Sequence, residues 1–577
     1  MNNQKKKIST GVEDFKEIID KNGYFVDKTL MIKELLESNA KVTLFTRPRR
    51  FGKTLNQSMI KRFLEDEITE HGERIDNSYL FDGLNISRCG DDILKHQQQY
   101  PVIFLSLKSA KQNTFETAFN MLIKEITSEF RRHQYVLESD ILAEEQKEAY
   151  CDIMRRKAEH AEYCDALKFL SECLAKYHGK NTIILIDEYD VPLENSYTRG
   201  FYDEMMGFIR SLFESALKTN PYLEKGIITG CLRISRESIF TGLNNLNVQS
   251  ILSSHYNDCF GFTEDDVREI LSYYDFSDRY DEVREWYDGY LFGNTEIYNP
   301  WSILSYIYEA QGKGSIMPAA KAYWSNTSSN SIVKELIYDA DSKTRNELEL
   351  LMNGGTIQKP VHEDITYEDI HVSQDNLWNF LFFTGYLKMK SMHTDDGTVC
   401  VELAVPNREV REIYKRTVRG WLDDKIKNAD SAVLLKALEQ GDCETAENFI
   451  NTLFEDTISY FDCTESFYHG LLAGLLARTG GYRMDSNRES GYGRYDLVFR
   501  TPAVRKGRVI ILEFKVADSV RTLEAKCDEA LKQIEDKKYA EPFISEGYPV
   551  IRKYGISFCG QECMVKQGEM YVRKQDN

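Results

Sequence analysis

The chain has 577 residues, more than one hydrophobic core usually supports, so two or three domains are expected. Its 42% hydrophobic and 12% aromatic content excludes extended disorder. The formal net charge of -19 argues against tight, non-specific duplex binding through the global field, while leaving room for a local basic groove.

The start, "MNNQKKKIST", is basic but lacks the apolar core of a secretory signal, and no stretch is apolar enough to span a membrane. A cytoplasmic protein with no membrane partner is expected. The 12 cysteines include no C-x-x-C pair and read as reduced thiols. Cys559 with Cys563 has neither a second pair nor a nearby His to complete a zinc site.

Four β-branched runs come first in the chain: "KVTLFTRP", "PVIFLSLK", "NTIILIDEYD" and "EKGIITGCLRI". Segments with helical spacing separate them, such as "FETAFNMLIKEITSEFRRH". That alternation implies an α/β domain over 1–280, with a parallel sheet covered on both faces. Residues 281–440 read as a helical, aromatic-rich connecting region with one small hairpin. Its Tyr287, Tyr290, Phe292, Tyr298 and Trp301 are expected to fill a core between domains. A second α/β domain is expected over 441–577, with strands in "YGRYDLVFRT", "GRVIILEFKVA" and "KYGISFCG" and a helix in "TLEAKCDEALKQIEDKKYA". No period of roughly 20–50 residues points to a solenoid.

"KVTLFTRPRRFGKTLNQSMIKRF" reads as strand, turn and helix, with Gly52, Lys53 and Thr54 at the turn. A triphosphate needs close backbone approach, a cation and a magnesium-binding hydroxyl, which these three supply in that order. The first glycine of GxxxxGK[ST] is replaced by Arg47. A non-Gly residue there must avoid positive φ, so the loop takes a different path, stiffened by Pro48. Arg47, Arg49 and Arg50 would add positive potential around the phosphates, with Arg50 assigned to the nucleotide. The acidic half of the site is "TIILIDEYD": Asp187 would hold magnesium and Glu188 polarise the attacking water. Thr229, ending "GIITGCLRIS", could orient the water or the γ-phosphate, and Arg233 and Arg236 follow it. Against this, Asp-Glu after a strand also commonly opens a solvated loop.

With "GYFVDKTLMIKELL" and "YDGYLFG…YNPWSIL", these motifs resemble the bacterial AAA-ATPase-like family, whose members commonly carry a C-terminal PD-(D/E)XK nuclease domain. The resemblance covers most of the chain, and "RPRRFGKT" is the family's typical form of the loop. It implies an AAA-type sheet of the P-loop NTPase class and ATP as ligand. It also implies motif roles for Lys53, Thr54, Asp187 and Glu188, a place near the nucleotide for Tyr24 and Asp27, and a homo-oligomer if an arginine from a neighbouring subunit completes the site.

"GRYDLVFRTPAVRKGRVIILEFKVA" has the D…ExK layout of a PD-(D/E)XK core. Glu513 and Lys515, two apart on a strand, share a face, with Phe514 on the other; Asp496 joins them if a hairpin brings its strand alongside. Two carboxylates on adjacent strands can hold magnesium for activating water and stabilising charge on a phosphodiester. Lys515 would position the water or neutralise that charge. The family pattern adds Gln533 on the next helix, and Glu489 and His469 as further metal ligands. Taken alone, an E-x-K strand is equally a structural Glu–Lys pair, and a lone His is more often a satisfied core residue. Gly491 and Gly493 read as turn residues. Arg488, Arg494, Lys515, Lys526, Lys532, Lys537 and Lys538 could line a phosphate-tracking groove, although a solvated face explains the helical lysines equally well.

The sequence thus leads to an ATP- and magnesium-dependent P-loop ATPase joined to a PD-(D/E)XK nuclease acting on nucleic acid, with DNA as the expected partner, in DNA processing or defence. One alternative is a nucleotide-dependent signalling switch whose nuclease-like domain only binds a partner. Another is a nuclease whose altered loop never binds ATP.

Overall fold

The computed structural model describes residues 5–233, 240, 246–312, 319–324, 333, 341–363, 373–395, 397–428, 430–455, 465–477, 481–486, 489–490 and 493–573. Arg236, Arg488 and Gly491 lie outside these, as does the side chain of Glu489. The chain divides into two compact units: Met1–Ser328 with Thr356–Glu412, and Ser329–Gly355 with Ile413–Asn577. The stretch 281–440, read from the sequence as a connecting region, is divided between them.

The first unit is built on a five-stranded parallel sheet of β1 (Val42–Thr46), β2 (Val102–Ser106), β3 (Thr182–Asp187), β4 (Leu223–Gly230) and β5 (Leu246–Gln249), in the order β2-β3-β4-β1-β5. Every residue of β1 and β3 is buried, which is why both read as continuous apolar runs without alternation. The fifth strand, Leu-Asn-Val-Gln, carries no apolar run and was not expected. A parallel sheet puts the carboxyl ends of its strands on one edge, so the segments following β1, β3 and β4 meet there, with β4 between the other two.

The aromatic stretch forms the hairpin β6 (Tyr290–Phe292) and β7 (Thr295–Ile297), followed by the helix Pro300–Ala310. Tyr287, Tyr290, Phe292 and Tyr298 are buried, as expected, while Trp301 is only half-buried. Their core lies inside the first unit, where Tyr287 and Tyr298 join Val267, Ile270, Ile303 and Tyr306. The expectation of helices with one hairpin is corrected by an antiparallel sheet of β8 (Ile357–Pro360), β9 (Lys388–Asp395) and β10 (Thr398–Ala404), in the order β8-β10-β9. Most of β9 faces solvent, so its polar residues dilute the apolar signal that marks a strand.

Glu409 opens the helix Arg408–Asn428 and is fully buried. Its carboxylate accepts hydrogen bonds from the Tyr323 and Trp324 amides (2.7 and 2.8 Å) and the Ser302 hydroxyl (2.7 Å). Burial outweighs these bonds and the nearby Arg50, and lifts its pKa from 4.5 to about 7. Between those values the folded chain holds a proton that the unfolded chain lacks, so this group's contribution to stability falls as pH rises through the window. Glu409→Gln keeps the two amide bonds on its carbonyl oxygen, reverses the Ser302 bond so that the hydroxyl accepts, and removes the titration. Relative to the parent, it is expected to gain up to roughly 3 kcal/mol between pH 4.5 and 8. Urea melts of both proteins across that range check this; a pH-independent difference would contradict it.

The second unit contains β11 (Arg483–Ser486), the short hairpin β12 (Glu489–Ser490) and β13 (Gly493–Arg494), β14 (Leu497–Arg500), β15 (Arg508–Val516), β16 (Val550–Cys559), β17 (Glu562–Gln567) and β18 (Tyr571–Val572). Its main sheet runs β11-β14-β15-β16-β17, with β18 paired to β16. Strands β15 and β16 are parallel and joined through the helix Leu523–Asp536; the other pairs are antiparallel. Val498, Val509, Ile511, Ile534 and Ile551 form a core between sheet and helix. Among the described residues no helix is long and apolar enough to cross a membrane.

Candidate functional site

The turn after β1 makes its left-handed corners at Arg50 (φ 67°) and Gly52 (φ 83°), and Arg47 needs no such conformation. Lys53 opens the helix Lys53–Leu64 and is only 6% exposed. Its ammonium donates to the carbonyls of Arg47 (2.9 Å) and Pro48 (3.0 Å) and lies 3.4 Å from the Cys231 thiol. A lysine satisfied by the loop's own carbonyls can exchange them for phosphate oxygens.

Asp187, at the end of β3, is buried, and its two carboxylate oxygens accept from the hydroxyls of Thr54 (2.8 Å) and Thr229 (2.5 Å). The ends of β3 and β4 and the first turn of the helix after β1 thereby converge on one cluster. Hydroxyl and carboxylate oxygens are the donors a small divalent cation prefers, so Thr54 and Asp187 fit magnesium chemically. Glu188 follows with φ 51°, a strained conformation for a side chain of its size. Burial raises its pKa, opposed by Lys53, which makes its carboxylate a better proton acceptor than an exposed one.

Each loop arginine has a partner within the protein. The Arg47 side chain is wholly buried and bonded to backbone carbonyls. Arg49 pairs with Glu194, and the Arg50 guanidinium lies 3.8 Å from the centre of the Trp301 ring. Arg233 sits 3.6 Å from Glu363. Asp27 caps the turn into Thr29 and accepts from the Asn85 amide, while Tyr24 packs on Tyr273 and Tyr274; both therefore hold the N-terminal segment in place. Asp190 went unnoticed in the sequence. It is buried and accepts the amides of Cys231 (2.7 Å) and Leu232 (3.1 Å), tying the segment after β3 to the end of β4. The second aspartate of "IDEYD" was the signal for it.

In the second unit, Asp496 lies in the bend just before β14, where a place within the strand was expected. Its carboxylate accepts from the Phe514 amide (2.8 Å), and its own amide points at Glu513 Oε2 (3.4 Å). Glu513 is 1% exposed, receives the Gln533 side-chain amide, and has the Lys515 ammonium 3.7 Å away. Alternation along β15 turns Glu513 toward the helix Leu523–Asp536, which carries Gln533, and Phe514 toward the helix Glu465–Leu476, where its ring meets His469. His469 Nε2 is 3.0 Å from the Asp496 backbone oxygen, so its ring steadies that bend from the other side of the strand. Among the described residues no three His, Cys, Asp or Glu side chains form a metal cage. Asp496 and Glu513, two carboxylates beside a lysine, are the donor pair that fits a hard divalent cation. Tyr539 went unforeseen: it meets Gln533 (3.3 Å) and donates to the Arg494 carbonyl (2.6 Å). Of the expected basic groove, Lys526 pairs with Glu529 and Lys538 with Glu541, which favours a solvated face for those two.

Residues 9–240 match a family described as predicted AAA-ATPase, AAA-ATPase-like, and residues 463–568 match the PD-(D/E)XK nuclease superfamily. A protein of Azotobacter chroococcum mcd 1, known as "Uncharacterized protein in vnfD 5'region", is 23% identical over 569 residues, covering 96% of each chain. The chain thus carries an AAA-ATPase-like domain and a PD-(D/E)XK nuclease superfamily domain.

Proposed function

We propose that this pairing of an AAA-ATPase-like domain with a PD-(D/E)XK domain binds and hydrolyses ATP and cuts phosphodiester bonds in nucleic acid, with DNA as substrate, in DNA processing or defence. The observation that carries the ATP reading is the bonding of Thr54 and Thr229 to one buried carboxylate, Asp187, beside the Lys53 loop. Lys53 exchanges its loop carbonyls for phosphate oxygens, Thr54 and Asp187 hold magnesium, and Glu188 takes a proton from the attacking water. In the second unit Asp496 and Glu513 hold the ion, Gln533 keeps Glu513 oriented, and Lys515 faces the charge on the scissile phosphate. Magnesium, when bound, supplies concentrated positive charge beside the phosphates at both places.

Calorimetric titration with ATP beside a magnesium-dependent cleavage assay on plasmid and single-stranded DNA tests the proposal. ATP binding with cutting supports it. Binding without turnover or cutting points to the signalling switch, and cutting without ATP binding points to a nuclease with an altered loop. Glu188→Gln is expected to slow phosphate release by roughly a hundredfold or more while ATP affinity stays within about threefold of the parent. Parallel phosphate-release and titration experiments check this, and parental turnover would remove Glu188 from the role of base.

A further inference from the structure

Arg47 stands where a phosphate-binding loop usually has glycine, yet its side chain is not directed at a phosphate. It is 0% exposed, and among the described residues no carboxylate pairs with it. Burying a cation without a counter-ion is among the costliest placements in a protein, and that burial lowers the Arg47 pKa to about 10. In return the guanidinium ties the end of β1 to two carbonyls about 200 residues further along the chain. It donates to Thr46 O at the end of β1 (3.0 Å), Gln249 O at the end of β5 (2.7 Å) and Tyr256 O beyond it (3.2 Å). The Phe260 and Phe292 rings lie 5.1 and 5.2 Å from its central carbon.

The rest of the turn is held from the same side. Phe51 packs on Tyr290 and Phe292 with ring centres 4.9 and 5.3 Å apart. Arg50 covers Trp301. Pro48 lies so close to Gly385 that a Cβ there would come within 2.9 Å of it. The carbonyls that hold Lys53 belong to Arg47 and Pro48 themselves, so whatever fixes those two peptide units fixes the lysine.

We propose that Arg47 is the positioning residue of the phosphate-binding loop, anchoring the Arg47–Pro48 backbone from which Lys53 is presented, and that the aromatic platform around Phe260 and Phe292 is a required part of the nucleotide site. The proposal rests on the ATP reading above and extends the site past residue 240, where the match to the AAA-ATPase-like family ends. An arginine here replaces conformational freedom with anchorage: the loop is set by carbonyls and rings behind it.

The test uses the full chain with Arg47→Gly, Arg47→Met, Arg47→Lys and Phe292→Leu. Two quantities are measured: ATP affinity by calorimetry, and amide hydrogen exchange across residues 48–54 without nucleotide. Arg47→Gly restores the usual glycine. Together with Arg47→Met it is expected to lose at least about tenfold in affinity, the size of a lost charge-assisted hydrogen bond, and to exchange faster over 48–54. Arg47→Lys, which keeps a cation on a shorter side chain, is expected to recover part of both. Phe292→Leu is expected to shift both in the same direction as Arg47→Met, and less than additively when combined with it. Parental or tighter ATP binding by Arg47→Gly would overturn the proposal. Should that variant fail to fold, unchanged affinity and exchange in Phe292→Leu would overturn it equally. Should the parent bind no ATP, the ATP reading falls alone, and parental exchange over 48–54 in Arg47→Met decides against Arg47 independently.

Discussion

Lys53→Ala is expected to weaken ATP binding by about a hundredfold or more. Two charge-assisted hydrogen bonds to phosphate, each worth roughly 1.5–3 kcal/mol, are lost, and every 1.4 kcal/mol is about tenfold in affinity. The substitution also removes a donor from the Arg47 and Pro48 carbonyls, which the ammonium reaches at 2.9 and 3.0 Å. A buried carbonyl left without a donor costs about 1–3 kcal/mol, so the nucleotide-free variant should melt earlier as well. Calorimetric titration, with thermal melting of the same samples, separates the two effects. Lost binding in a folded variant places Lys53 on the phosphates, whereas undiminished affinity would show that the lysine serves only the loop.

The second large effect belongs to Asp496→Asn. Its carboxylate accepts the Phe514 amide at 2.8 Å, a bond that asparagine can still accept. The exchange therefore removes a charge with little disturbance to the strand. Magnesium-dependent cutting is expected to fall roughly a hundred- to a thousandfold, the usual cost of removing a group that acts on developing charge, while ATP turnover stays parental. Nicking of supercoiled plasmid alongside phosphate release measures both. Parental cutting would take Asp496 out of the reaction, and a joint loss of both activities would indicate a folding defect.

What the sequence reveals depends on whether a position is governed by its neighbours in the chain or by distant ones. Strands such as Thr182–Asp187 are legible because complete burial leaves an unbroken apolar run. Glu513 and Lys515 are legible because strand geometry fixes which side chains share a face. The direction of Arg47 is not: a basic residue beside a phosphate loop looks like a phosphate ligand until Phe260, Phe292 and two remote carbonyls are seen around it. The partners of Asp27 and Tyr24 are hidden for the same reason, since Asn85, Tyr273 and Tyr274 are far along the chain. The sheet β8-β10-β9 stayed hidden because its outer strand faces water and lacks the apolar rhythm that announces burial.

The way the two units share the chain has a practical outcome. Because Ser329–Gly355 is grouped with the C-terminal part, and Thr356–Glu412 with the N-terminal part, the polypeptide passes from one unit to the other three times. Neither half is a cassette. A truncation at any single peptide bond strands a piece of one unit on the other, so a fragment cut after residue 280 or 412 is a poor surrogate for either activity. Point substitutions in the intact protein are the sounder way to take the two chemistries apart.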